Sequence, residues 1–229
     1  MKHSILIAIF FIANQMGFTQ NFTGSFELKI SQESSSGNKH SDSVSYFFGK
    51  DKTAIIIHAG GNQPDLRLVF SPADSTITGL FEMNGKKGGY ILPMNNKYWP
   101  TMKYASGEKD VLSNSEVNYT ENRKEINGYS TQEIFCGNEE IDATFWVAKE
   151  IELSLTQVMA YQFVGAGKDG EEIETLANCG IKGLALYTTL FDKKRNGSII
   201  LQIENLSKKI DAEVFNTEGH ELSDMRKSK

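Results

Sequence analysis

The residues of this sequence that could do chemistry are few. They are two cysteines, four histidines, some acidic pairs and one glycine-rich run. Cys136 and Cys179 form an even pair, which permits one disulfide or two separate buried thiols. A bridge would close a long loop and stabilise the fold by about 4 kcal/mol on the chain-entropy model. His3, His40, His58 and His220 fall in an apolar leader, a loop, a strand and the tail. Metal sites and Ser/His/Asp relays need groups that converge, and these spacings imply no convergence. His58 is therefore read as a structural side chain on a strand. His220-Glu221 has the opening letters of a zinc-binding helix, but the residue four positions after His220 is Asp224. Gly165-Ala166-Gly167-Lys168-Asp169-Gly170 has the letters of a dinucleotide fingerprint. A helical pattern precedes it where that motif needs a strand, so it reads as a helix stop. The acidic pairs Glu139-Glu140 and Glu171-Glu172 lack the spaced oxygen ligands of a calcium loop and read as solvated turns. The basic runs Lys193-Lys194-Arg195 and Arg226-Lys227-Ser228-Lys229 read the same way. No catalytic residue, metal or cofactor is expected, and the chain reads as non-enzymatic.

The whole composition agrees with this modest inventory. The 229 residues are 39% hydrophobic and 23% charged, and 24 Lys plus Arg stand against 29 Asp plus Glu. A net charge of -5 offers no polycationic surface for nucleic acid. Four prolines and two cysteines exclude a proline-rich linker protein and a disulfide-dense miniprotein.

Met1-Lys2-His3 precedes the apolar block Ile5 to Ala13, and a polar exit ends near Gly17-Phe18-Thr19. These are the three parts of a secretory signal peptide, with residues 1–19 removed and a single domain over residues 20–229. The block has roughly half the ~20 residues that a membrane span needs, and no second run approaches that length. The expected product is exported, periplasmic or secreted, without a transmembrane segment.

From Asn21 onward the dominant period is two. Phe22, Phe26, Leu28 and Ile30 share a face, the stretch from Ser31 to Asp42 reads as a solvated loop, and Val44, Tyr46 and Phe48 alternate up to a turn at Gly49-Lys50-Asp51-Lys52. Further strands are expected at 54–58, 66–70 and 76–81, with turns at Asn84-Gly85 and Gly88-Gly89. The region 93–115 lacks a period and reads as an irregular excursion that could expose Tyr98, Trp99 and Tyr104. Strands return at 116–125, 129–135 and 141–147. Ser154 then caps a helix carrying Leu155, Val158, Met159 and Phe163 at three- and four-residue intervals. Residues 171–178 read as a second short helix, and strands at 184–191 and 198–206 close the sheet around Asn196-Gly197. This order describes an α+β fold with a dominant antiparallel sheet. An outer-membrane barrel is rejected, because charge is mixed into most strands.

The leader, the strand Phe22 to Ile30, the turn Ile126-Asn127-Gly128-Tyr129, the strand Ala143-Thr144-Phe145-Trp146-Val147 and the late Ala212-Glu213-Val214-Phe215 together resemble a family of secreted proteins of Gram-negative bacteria. That family carries a domain of unknown function grouped with the LolA/LolB-like lipoprotein-localisation carriers. The resemblance implies a strongly curved antiparallel sheet, an unclosed half-barrel, with one or two helices covering its open side. It also implies an apolar ligand, a lipid or acylated protein, held between sheet and helices. The cavity-lining candidates are Phe26, Leu28, Tyr46, Phe48, Ile55, Ile57, Phe70 and Trp146 from strands, with Leu155, Val158, Met159 and Phe163 from the helix. The same residues would equally make a filled core, and then the protein would serve envelope protein partners through its surface.

Overall fold

The computed structural model describes residues 22–61, 63–107, 116–165 and 179–227. The signal segment, the second helix expected at 171–178 and most of the glycine run lie outside them. The alternation becomes one sheet of twelve strands: β1 (Gly24–Glu33), β2 (Lys39–Phe48), β3 (Thr53–His58), β4 (Leu66–Ser71), β5 (Thr76–Met83), β6 (Lys86–Pro93), β7 (Glu116–Ile126), β8 (Tyr129–Gly137), β9 (Ile141–Ala148), β10 (Leu184–Asp192), β11 (Gly197–Ser207) and β12 (Glu221–Asp224). Their spatial order is β12-β6-β5-β4-β3-β2-β1-β11-β10-β9-β8-β7. Every pairing is antiparallel except β12 with β6. The sheet does not close: β7 and β12 are its edges, and β7 carries Glu121, Arg123, Lys124 and Glu125, charges that discourage edge-to-edge pairing. Two meanders, β1–β6 and β7–β11, meet at a single seam where Leu28 of β1 faces Ile203 of β11.

Three local readings are corrected. The stretch from Ser31 to Asp42 is mostly strand, with Ser31 opposite Ser41 and Glu33 opposite Lys39. Its side chains are solvated, so it carries no apolar period even though its backbone is paired. Gly88-Gly89 is no turn but the middle of β6. A Cβ on Gly89 would stand 2.3 Å from the Gly79 carbonyl oxygen of β5, a contact that only glycine tolerates. The helix that begins at Leu155 ends early. The element α2 spans only Leu155–Ala160, behind a capping box in which Ser154 and Gln157 bond each other's backbone N–H. The Ala160 carbonyl accepts from Trp99 Nε1–H at 2.9 Å and Thr101 Oγ at 2.7 Å. It is thus taken from the residue that would extend the helix.

The described part of the excursion after β6, residues 94–107, folds inward rather than out, and 108–115 lie outside the described residues. Its short helix α1 (Met102–Ala105) packs against α2, and together with Trp99 they cover the inner face of the sheet. Trp99 is 1% and Tyr104 3% exposed, so neither is a surface contact residue. The fold is α+β, an unclosed antiparallel half-barrel plugged by two short helices. Cys136 of β8 and Cys179, which follows the plug, are joined in a disulfide across 43 residues, Cα to Cα 5.9 Å. No helix among the described residues is long and apolar enough to cross a membrane.

Candidate functional site

The inner face is an aromatic stack. Phe26 lies over Tyr46 with ring centroids 5.2 Å apart, Tyr46 continues to Phe48 at 5.9 Å, and Phe48 meets Tyr161 of the plug edge-on at 5.7 Å. Phe70 and Trp99 close the row at 4.7 Å. Phe26, Leu28, Tyr46, Phe48, Ile55, Phe70, Leu155 and Val158 all belong to this one buried cluster. Ile57, Met159 and Phe163 are half-buried at its margin. Trp146 is the exception. Phe145 and Val147 beside it point inward, so the period of two turns Trp146 outward, where the Lys124 ammonium sits 3.8 Å from its ring centroid.

The polar atoms inside this face are few. Gln162 Nε2–H donates to the Tyr46 hydroxyl at 2.6 Å, and Thr53 Oγ donates to the Tyr161 hydroxyl at 3.4 Å. Burial pushes the Tyr161 phenol up to about 12, partly offset by that bond from Thr53. Burial likewise raises Tyr46 well above its ordinary value, against the opposing pull of Gln162. Thr188 Oγ is buried without a hydrogen-bond partner among the described residues. The space left over is small. A cavity of about 30 Å³ opens at the plug rim between Lys52, Thr53, Met94, Trp99, Gln157 and Tyr161. It holds about two waters, whereas ligand pockets typically run ~300–1,000 Å³.

The outer face is divided. Residues 208–227 run back across it as a belt that ends in β12. Val214 of the belt packs on Ala54, Val69 and Leu80, flanked by Phe47, Ile56, Ile210 and Phe215. Arg67 fastens the belt by donating to the carbonyls of Glu213, Val214 and Asn216 at 3.0–3.3 Å. Over β8–β11 none of the described residues gives such cover. There an open groove of about 1020 Å³ is lined by Phe135, Thr144, Thr189, Phe191 and Ile200, with Glu139, Asp142 and Lys193 also on its lining. Phe135 and Phe191 are 43% and 40% exposed. Alternation along β8 and β10 hides neither residue's significance, but nothing in the sequence says that the belt stops short of them.

The spacings imply no convergence, yet the fold brings two polar side chains onto His58. Ser45 Oγ lies 2.8 Å from His58 Nε2, and His58 Nδ1 lies 2.8 Å from an Asp65 carboxylate oxygen. The other Asp65 oxygen accepts the Ala59 N–H at 3.0 Å. Burial alone would raise the Asp65 carboxyl. The bonds from His58 and Ala59 and the charge of His58 outweigh it and hold the group below its ordinary value. The register gives the reason for the meeting: Ser43 faces His58 and Ser45 faces Ile56, so Ser45 and His58 are diagonal neighbours on the outer face.

No protein-family model and no curated protein matches the chain. Solved structures are similar to it in fold. A LolA superfamily protein from Nitrosomonas europaea is 6% identical with a TM-score of 0.35, over 85% of this chain and 90% of that one. The Pseudomonas aeruginosa MucA/MucB complex is 11% identical with a TM-score of 0.44, over 86% of this chain and 55% of that one. PNGF-II is 13% identical with a TM-score of 0.39, over 89% of this chain but only 32% of its own, so this chain spans about a third of PNGF-II. These are likenesses of fold, and none assigns an activity to this chain.

Proposed function

We propose that this protein is an exported cell-envelope module that binds a protein partner through the uncovered outer groove of β8–β11, above an interior that is a filled core. The observation that carries this reading is the unequal cover that the described residues give the outer face. The belt buries the apolar side chains of β3–β5, while Phe135 and Phe191 stand open beside a groove of about 1020 Å³. Exposed aromatics set in a groove with charged residues at hand are the composition of a protein contact surface. Magnitudes argue against the interior as the working site. Lifting the plug would expose Trp99, Tyr104, Ile151, Leu153, Leu155, Val158 and Tyr161. At about 1.5–3 kcal/mol each, roughly 10–20 kcal/mol together, that is comparable to the ~5–15 kcal/mol that holds a domain folded. Crosslinking and recovery from envelope extracts tests the reading, using the wild type beside Phe135→Glu and Phe191→Glu. Partners lost from both variants with unchanged melting support the groove. A partner set identical in all three removes it.

A second reading has one specific observation in its favour. Thr188 is a buried hydroxyl without a partner among the described residues, and it would suit the polar head of a lipid or the ester of an acylated protein. Native mass spectrometry of the purified protein separates the two readings. A stoichiometric mass excess that extracts as lipid supports interior binding, and a bare mass unchanged after incubation with lipid supports the filled core.

A further inference from the structure

We infer that Ser45, His58 and Asp65 form a nucleophilic relay on the outer face, able to take the acyl group of an activated carboxylic ester. The inference goes beyond the binding role and departs from the non-enzymatic reading of the sequence. It rests on geometry alone. An ionised carboxylate only accepts hydrogen bonds, so in the neutral imidazole, the form that can act as a base, the 2.8 Å contact with Asp65 places the proton of His58 on Nδ1. Nε2 is then a free lone pair, and the Ser45 hydroxyl donates to it at 2.8 Å. This is the tautomer that a general base needs, and Asp65 is itself anchored by the Ala59 N–H. The side chains are reachable, since those of His58 and Asp65 are 36% and 51% exposed. Ile56 opposite Ser45 and Phe47 two residues along β2 are half-buried against the belt cluster, so the approach to Ser45 is from the side of His58 and Asp65.

The step follows from these positions. Ser45 Oγ attacks the ester carbonyl carbon while its proton passes to Nε2 of His58. The bond from that carbon to the leaving oxygen breaks, and the proton on Nε2 goes to the departing group. Acyl-Ser45 remains, and water activated by the same nitrogen hydrolyses it. Ser45 sits in mid-strand between β1 and β3, where the backbone N–H groups serve the sheet, so no pair of them is positioned as an oxyanion hole. Loss of such donors costs about 10²–10³ in rate each. The substrate class is accordingly esters with good leaving groups, aryl esters or thioesters, and not amides. The charged groups around the relay are Glu27 opposite Ser45, Lys29 opposite Ser43 and Arg67 opposite Ile56. Lys29 is paired to Glu204 at 2.6 Å and Arg67 is held by the belt carbonyls.

The test uses the full folded chain with a fluorophosphonate probe and p-nitrophenyl butyrate. The expected result is one phosphonyl adduct per chain, mapped to Ser45, absent from Ser45→Ala and from urea-unfolded protein. Labelling should fall about 10²–10⁴-fold in His58→Gln, the range of general-base assistance. Asp65→Asn should lower the labelling rate at an unchanged melting temperature, which a purely structural carboxylate would not do. The inference is overturned by any of three results: no adduct on the folded wild type, an adduct on another residue, or equal rates in wild type and His58→Gln. The groove variants Phe135→Glu and Phe191→Glu should label like wild type, so a failure of the binding role and a failure of the relay are read separately.

Discussion

Trp99 tests whether the plug is core or lid. Its indole is 1% exposed, packs on Phe70 and Tyr161 at 4.7 and 5.3 Å, and donates to the Ala160 carbonyl at 2.9 Å. Trp99→Ala removes the whole ring from a site walled by β4 and α2, and large aromatic-to-alanine changes in a core cost about 3–5 kcal/mol. Trp99→Phe isolates a smaller effect. It keeps a ring against Phe70 and Tyr161 and loses one hydrogen bond, worth about 0.5–1.5 kcal/mol net. The Ala160 carbonyl retains the Thr101 hydroxyl at 2.7 Å, so no buried acceptor is orphaned. The expected order in urea unfolding is wild type, then Trp99→Phe lower by about 1–2 kcal/mol, then Trp99→Ala lower by about 3–5 kcal/mol, with a common denaturant slope. A loss below about 1 kcal/mol for Trp99→Ala would refute the reasoning, because it would mean that the indole gives up little packing. The interior would then have to be treated as an openable cleft.

Replacing Cys136 and Cys179 together by alanine should cost about 4 kcal/mol, from the entropy of a 43-residue loop, and reductant should lower the wild-type melting temperature but not that of the variant. Arg67→Met should loosen the belt. Its hydrogen bonds to three carbonyls make proteolytic cleavage within residues 208–227 faster in the variant while the sheet persists. Alkali should unfold the protein through its buried phenols. Tyr161 keeps its proton to about 12 when folded but to only about 10 when unfolded, so the unfolded state binds fewer protons between those values. The stability contributed is therefore complete below about pH 10 and is lost as pH rises from there toward 12, at up to about 1.4 kcal/mol per pH unit, with Tyr46 acting in the same direction. Urea midpoints measured from pH 8 to about 11 check this, and a flat midpoint would show that neither hydroxyl is buried.

The strands were legible because most bury one face, and period-two alternation records that directly. Where both faces are wet, as from Ser31 to Glu33, pairing leaves no trace in side-chain type, so alternation alone ends the strand too soon. Gly88-Gly89 misled for the opposite reason, since a close approach between strands needs the same residue as a turn. The plug was half legible: Ser154 and the apolar spacing announced α2, but the capture of its last carbonyl by Trp99 and Thr101 is a long-range event. Trp146 was misassigned by a single residue of phase, which in a strand is a change of face. The relay was within reach. The turn at Gly49 to Lys52 is legible, and stepping outward from the pair Phe48 and Thr53 puts His58 opposite Ser43 and diagonal to Ser45. Asp65 arrives through the next turn, whose geometry no residue pattern specified.

The seam between β1 and β11 has a kinetic meaning. Strand follows strand through a short reversal along β1–β6 and β7–β9, which can zip up from local turns on fast timescales, while residues 149–183 separate β9 from β10. The seam instead unites segments from opposite ends of the chain, Leu28 with Ile203 and Ile30 with Leu201, and the loop entropy of that union must be met before its contacts form. Docking of two preformed half-sheets is therefore the expected slow step of folding. A chain severed between β6 and β7 would still carry both lips of the seam, one on each fragment, and the halves could find one another as two separate molecules.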